Sequence, residues 1–281
     1  MTPRYFPLDG TDFRLNLGLQ ALKDRSWLDI DAQFEPDIAE KKRLLAGQRE
    51  KVFAEMPGTE KAQQEILEQV RAERACHFPH ISSNETISDD SLLVTAACLV
   101  QEDLVLMREQ EGEYALAAAC VCFPTGWNLL EKVGKVMHAI HQPVPGLNER
   151  IGPPIDRFFR HLKPGKKVER FNWGLYDSSA LFQPGWWRHT RPVDTSITAK
   201  NIGEKITFRV ERQTLQRLNN AGDILFTIRI FNNTLAEICE RKDRTLRLRH
   251  ALHTMPQEMR AYKSLPRYEQ LIDDFLLQAN P

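Results

Sequence analysis

The sequence predicts an α+β fold: an antiparallel sheet with helices on one side, an N-terminal helical hairpin and C-terminal helices. Three observations carry this. Up to about Pro79, apolar residues recur at three- and four-residue spacing in a background rich in Glu, Lys, Gln and Ala. From Ser91 the pattern changes to short apolar runs separated by turn residues, in two groups with a proline-punctuated helical stretch between them. From Thr234 the helical pattern returns, broken by Pro256 and Pro266.

Taken in order, Ile38 to Glu55 and Thr59 to Cys76 read as two helices, with Pro57-Gly58 as the turn of a hairpin. They are too polar to form a core alone and are expected to pack on the rest through one stripe. Leu92 to Val100, Leu104 to Arg108 and Tyr114 to Phe123 read as consecutive antiparallel strands, and Pro124-Thr125-Gly126 closes the third. Asn128 to Ile140 reads as a helix stopped by Pro143 and Pro145, and Pro154 to Leu162 as a second helix ending near Pro164-Gly165. Strands resume at Val168 to Tyr176, Ile206 to Leu215 and Asp223 to Phe231, with Asn219 to Gly222 as the last turn. This order divides the chain into a helical region (1–85) packing on a core (86–233), followed by a helical extension (234–281). Hairpin strands, a helical connection lining a pocket, then a three-strand return is the order of a PAS domain.

With 281 residues, 42% of them apolar, the chain can bury a sizeable core. Its 38 basic and 38 acidic residues cancel, which argues against nucleic acid as a partner. The basic segment Arg241 to Arg249 reads as a solvated face. No apolar run approaches the roughly 18 residues of a membrane span. The opening MTPRYFPLDG lacks an apolar signal region, so a cytoplasmic protein is expected. Cys76, Cys98, Cys120, Cys122 and Cys239 are odd in number, which suits reduced thiols. Cys120 and Cys122 share a strand face and read as core packing. There is no GxGxxG and no cysteine cluster suited to an iron–sulfur centre.

One ordered set of segments is more specific. Tyr114 to Trp127 (YALAAACVCFPTGW) is followed by Lys132 to Pro145 (KVGKVMHAIHQPVP), Arg170 to Trp173 (RFNW), Arg209 to Leu215 (RVERQTL) and Phe226 to Arg229 (FTIR). With Leu17-Gly18-Leu19 and Trp27 to Asp31, this set resembles the α subunit of the haem-dependent oxidative N-demethylases over nearly the whole chain. The resemblance implies a PAS-like protein holding haem b. It also implies O₂-dependent oxidation of an N-methylated amine such as dimethylamine to the shorter amine and formaldehyde. In that family, other subunits carry flavin, an iron–sulfur cluster and a folate site, and electrons come from NADPH. Since this chain has no reductase motif, a partner flavin/iron–sulfur reductase is implied.

Haem iron takes a protein ligand, usually His or Cys. His141, at a helix end before Gln142-Pro143, is the first choice. His138, one helical turn earlier, is an alternative ligand or a propionate contact, and His161 is the choice by analogy with haem PAS sensors. On the strand RVERQ, Arg209, Glu211 and Gln213 form one row, and Phe208, Val210 and Arg212 the other. The apolar row is the natural core face, which puts Arg212 near the haem. Arg209, Glu211 and Arg212 are therefore the candidates for polarising oxygen and pairing with the amine. Asn172 supplies a donor and an acceptor to the cofactor, and Trp173 an apolar wall. Trp186-Trp187, in a Pro/Gly loop, reads as a plug of a sheet edge rather than a pocket cap. Two further readings stay open: a haem-PAS gas or redox sensor, although no output region is seen, and a non-catalytic small-molecule-binding protein.

Overall fold

The computed structural model describes residues 3–81, 91–185 and 192–279. One seven-stranded sheet organises them, in the order β1 (Gln20–Ala21), β5 (Lys167–Tyr176), β6 (Thr207–Arg217), β7 (Ile224–Thr234), β3 (Asp103–Gln110), β4 (Glu113–Cys120) and β2 (Phe53–Glu55). Every neighbouring pair is antiparallel. The expected α+β class with an antiparallel sheet is what the chain adopts.

Both faces of the sheet are covered, by different parts of the chain. One face carries Leu104, Leu106, Ala118, Cys120 and Leu225, which pack on the N-terminal helices α1 (Phe34–Val52), α2 (Glu60–His77) and α3 (Leu92–Ala97). The same face, further along, carries Trp173, Leu175, Phe208, Val210 and Phe231. These pack on the C-terminal helices, including those at Lys242–His253 and Glu269–Gln278. The opposite face carries Val105, Met107, Leu116, Ala119, Leu215 and Ile224, and is covered by the β4–β5 connection through α4 (Met137–His141) and α5 (Leu147–His161).

Two segments depart from the expected pattern. Leu92 to Val100, expected as a strand, begins as α3, burying Leu93, Val94, Ala96 and Ala97. An apolar run suits a buried helix as well as a buried strand, and tertiary contacts decide. Here Gln63 of α2 accepts the Leu93 amide at 3.0 Å and the Ser91 hydroxyl at 2.9 Å, satisfying a donor that a helix start leaves open. The expected helix Asn128 to Ile140 is only a short 3₁₀ turn, Leu129–Glu131, followed by a turn at 132–134 and then α4. β2 pairs with β4 only at its far end, so the Leu116 amide and carbonyl take Lys135 and Gly134 as partners, at 3.0 and 2.8 Å. Gly134, at φ +76°, supplies the left-handed residue this excursion needs.

Long-range polar contacts place the layers. Glu65 of α2 accepts the backbone amides of Asn219, Asn220 and Ala221, gripping the β6–β7 turn. Arg217 of β6 donates to the Leu162 and Phe159 carbonyls at the end of α5, which seats that helix on its face. The Trp186-Trp187 loop lies outside the described residues. Among those described, no helix is long and apolar enough to cross a membrane.

Candidate functional site

The site is assembled on the sheet face that α4 and α5 cover, where α4 packs on β4 and α5 and its His141 feels the charge of Arg170 on β5. Met137 and Ile140 turn inward from α4 and pack beside Leu116, Phe159 and Leu215. His141, one turn after Met137, shares that inner side. Its Nδ1–H donates to the Met137 carbonyl at 3.0 Å, which leaves Nε2 without a hydrogen-bond partner among the described residues. Burial pushes the imidazole down to about 4, against the Met137 bond and helped by the nearby Arg170 and Lys132 cations. The ring is therefore neutral near pH 7, with an oriented lone-pair nitrogen.

The other two histidines point away. His138 is exposed, and only its backbone carbonyl is engaged, by Asn148 Nδ2 at 3.0 Å. His161 is exposed at the end of α5, with Nδ1 2.7 Å from the Arg157 carbonyl.

The two rows of β6 are exchanged relative to expectation. Arg212, expected in the pocket with the apolar row, lies on the face covered by the N-terminal segment. It donates to Glu169 at 2.9 Å and to the Trp27 and Ser26 carbonyls at 3.2 and 3.0 Å. The apolar row serves a core, but the core of the terminal helices. Trp173 goes the same way, stacked on Phe208 at 5.7 Å between ring centres. The polar row, Arg209, Glu211 and Gln213, lies on the face of α4 and α5 with Arg170 and Asn172 of β5.

Within that row, roles differ. Arg209 spends its guanidinium on the chain itself: Thr125 Oγ1 and the carbonyls of Phe123, Ala180 and Leu181 all accept at 3.0 Å. It is a clamp joining the end of β4 to the 180–181 segment. Glu211, only 6% exposed, accepts from Asn172 Nδ2 at 3.2 Å and Gln213 Nε2 at 2.7 Å, both on Oε2. Its Oε1 has no donor among the described residues. Arg170 donates Nη1 to Gln213 Oε1 at 3.1 Å, while its buried Nε is unpartnered. Burial pulls the Arg170 guanidinium down and the Glu211 charge opposes this. Lys263 of the C-terminal region reaches round the edge of β5 to the Trp173 carbonyl and to Asn172 Oδ1, at 2.5 and 3.5 Å.

A family model described as haem-dependent oxidative N-demethylase, alpha subunit-like matches residues 18–272. The chain belongs to this family. The match spans every strand of the sheet and all of α4 and α5, so the demethylase site has to be sought in the architecture just described. The donor set fits haem. Iron in a macrocycle needs one or two protein ligands, and a neutral, oriented imidazole with Nε2 unengaged is of the right type. Among the described residues, no three His, Cys, Asp or Glu side chains converge as a protein-only metal centre would require. Neither of two surface clefts, one beside Leu175 and Tyr268 and the other at the end of α5 beside Phe158, His161 and Leu162, is lined by His141, Arg170 or Glu211, although the second is lined by the candidate His161. The assignment therefore rests on the side chains.

Sequence reading placed Gln213 in the polar row without a role, and gave none to Arg170, Lys132 or Lys263. Alternation along RFNW places Arg170 on the face of Asn172, so that signal was available. Nothing local announces Lys263, which joins the site across 91 positions from Asn172.

Proposed function

We propose that this chain is the haem-holding, amine-oxidising subunit of an oxidative N-demethylase. In this reading His141 would hold the iron of haem b, and the polar face of β5 and β6 would line the site opposite the α4–α5 layer. One observation carries it: in a chain that matches the family over residues 18–272, His141 is neutral, fixed through Nδ1 and unengaged at Nε2. The order of the central strands, β4-β3-β7-β6-β5, supports the PAS-like part of the reading.

Bound haem supplies the O₂ chemistry that oxidises the N-methyl group, giving the shorter amine and formaldehyde. The protein's task is to hold and orient. The Met137 carbonyl fixes the His141 ring, and ligand orientation of this kind tunes a metal site. Glu211 holds the protonated amine through Oε1, since a buried carboxylate attracts a cation more strongly than an exposed one. Asn172 and Gln213 fix its other oxygen, and Lys263 fixes Asn172. Electrons come from a partner flavin/iron–sulfur reductase.

The test is the visible spectrum and turnover of protein made with haem supplied. An intense Soret band is expected, lost or strongly shifted in His141→Ala, with formaldehyde released from an N-methylated amine in the presence of O₂ and an artificial reductant. Haem binding without formaldehyde from any N-methylamine favours a sensor, and absence of a Soret band removes the haem reading altogether.

A further inference from the structure

Arg170 and Glu211 are both enclosed, both on the face of α4 and α5, and not paired with each other. Register places Arg170 opposite Gln213 and Asn172 opposite Glu211, so the two charges stand diagonally across β5 and β6. Diagonal neighbours in antiparallel strands lie about 7–8 Å apart. No ion pair joins them; among the described residues Arg170 Nε is buried without a hydrogen-bond partner, and both donors to Glu211 fall on Oε2, leaving Oε1 without one. A partly buried guanidinium with an unmet donor calls for an anion, and a buried carboxylate with an unmet acceptor calls for a cation. Lys132 is half-buried, gives its ammonium to the Ile140 carbonyl, and loses basicity through burial. With Lys263 at Asn172, the cluster holds more cations than anions.

We propose that Arg170 and Glu211 form a seat for a zwitterion, the carboxylate on Arg170 and the N-methylammonium on Glu211, so that the substrate class is an N-methyl amino acid. This rests on the amine-oxidising reading above and narrows its substrate. A simple alkylamine satisfies Glu211 and leaves Arg170 unmet. An amino acid satisfies both, because its opposite charges sit one carbon apart and fit between two side chains of opposite sign. A haem propionate offers Arg170 the same carboxylate chemistry, so the experiment separates the two sources.

The experiment is calorimetric titration of the haem-supplied chain with N-methylglycine and with dimethylamine, alongside haem content and Soret position. A charge-assisted hydrogen bond to the carboxylate corresponds to N-methylglycine binding about tenfold or more tightly than dimethylamine. Arg170→Gln is expected to abolish the preference for N-methylglycine over dimethylamine, and Arg170→Lys to restore part of it. Glu211→Gln is expected to weaken both ligands. Equal affinities in the unsubstituted protein overturn the proposal whatever the variants do. An Arg170→Gln variant that loses haem or shifts the Soret band, with the ligand ratio unchanged, assigns Arg170 to a propionate and also overturns it. If no haem binds yet N-methylglycine is preferred and Arg170→Gln abolishes the preference, the seat stands and the haem reading falls.

Discussion

Removing Arg212 tests whether this residue belongs to the site or to the scaffold. In Arg212→Ala, Glu169, 1% exposed, loses its 2.9 Å partner and keeps only the half-exposed Arg25. The carbonyls of Trp27 and Ser26 lose their donors at the same time. Breaking a buried pair on one side costs about 3–5 kcal/mol, because a charge is left buried without its partner. At about 2 °C per kcal/mol for a chain of this size, the expected fall in Tm is about 6–10 °C. Thermal unfolding followed by circular dichroism measures it. The double variant Arg212→Met with Glu169→Gln removes both charges and is expected to recover much of the loss. Below the melting range, haem content and amine binding are expected to match the unsubstituted protein. A Tm within about 2 °C of the unsubstituted protein is less than half the loss worked out from the buried pair and refutes the structural role of Arg212. Normal stability with abolished turnover places Arg212 in the chemistry after all.

Three further outcomes follow from the geometry. Arg209→Ala is expected to lower stability by about 3–5 kcal/mol, since several buried carbonyls lose their donor together, and Arg209→Lys to rescue little because one ammonium cannot replace the planar fork; chemical unfolding measures both. His138→Ala and His161→Ala are expected to leave the Soret band unchanged, because both rings are exposed, and loss of the band in either redirects the ligand assignment. Burial raises the Glu102 carboxyl to about 6, so the folded state takes up its proton before the unfolded state does. Its contribution to stability is therefore full below about pH 4.5 and declines as pH rises to about 6, for a total of about 2 kcal/mol. Glu102→Gln is expected to be the more stable protein at pH 7.5, with the advantage vanishing towards pH 4.5; unfolding curves at the two pH values test this, and an advantage that grows on acidification contradicts the sign.

Much of the element pattern was legible because it is local. The three returning strands, the Asn219 to Gly222 turn and the two N-terminal helices each carry a period or a turn residue that short-range sterics enforce, and the structure has them near the expected bounds; the helices do not close into the expected hairpin, because β2 stands between them and pairs with β4. His141 was legible as a candidate because a histidine at a helix end before Pro143 is a local feature. Which face of β6 meets α4 and α5 was not. Alternation sorts Arg209, Glu211 and Gln213 from Phe208, Val210 and Arg212, but says nothing about what covers each row. With helices on both faces, the apolar row went to the C-terminal helices and Arg212 to the segment at Ser26 and Trp27, 185 and more positions away. The same holds for α3, where Gln63 decides between helix and strand, and for Lys135, which pairs with Leu116 instead of continuing a helix. Periodicity along the chain sets which side chains travel together, because backbone geometry is local. Which surface they meet is settled by packing between distant segments, and there the diagonal placement of Arg170 and Glu211 on one sheet face first becomes visible.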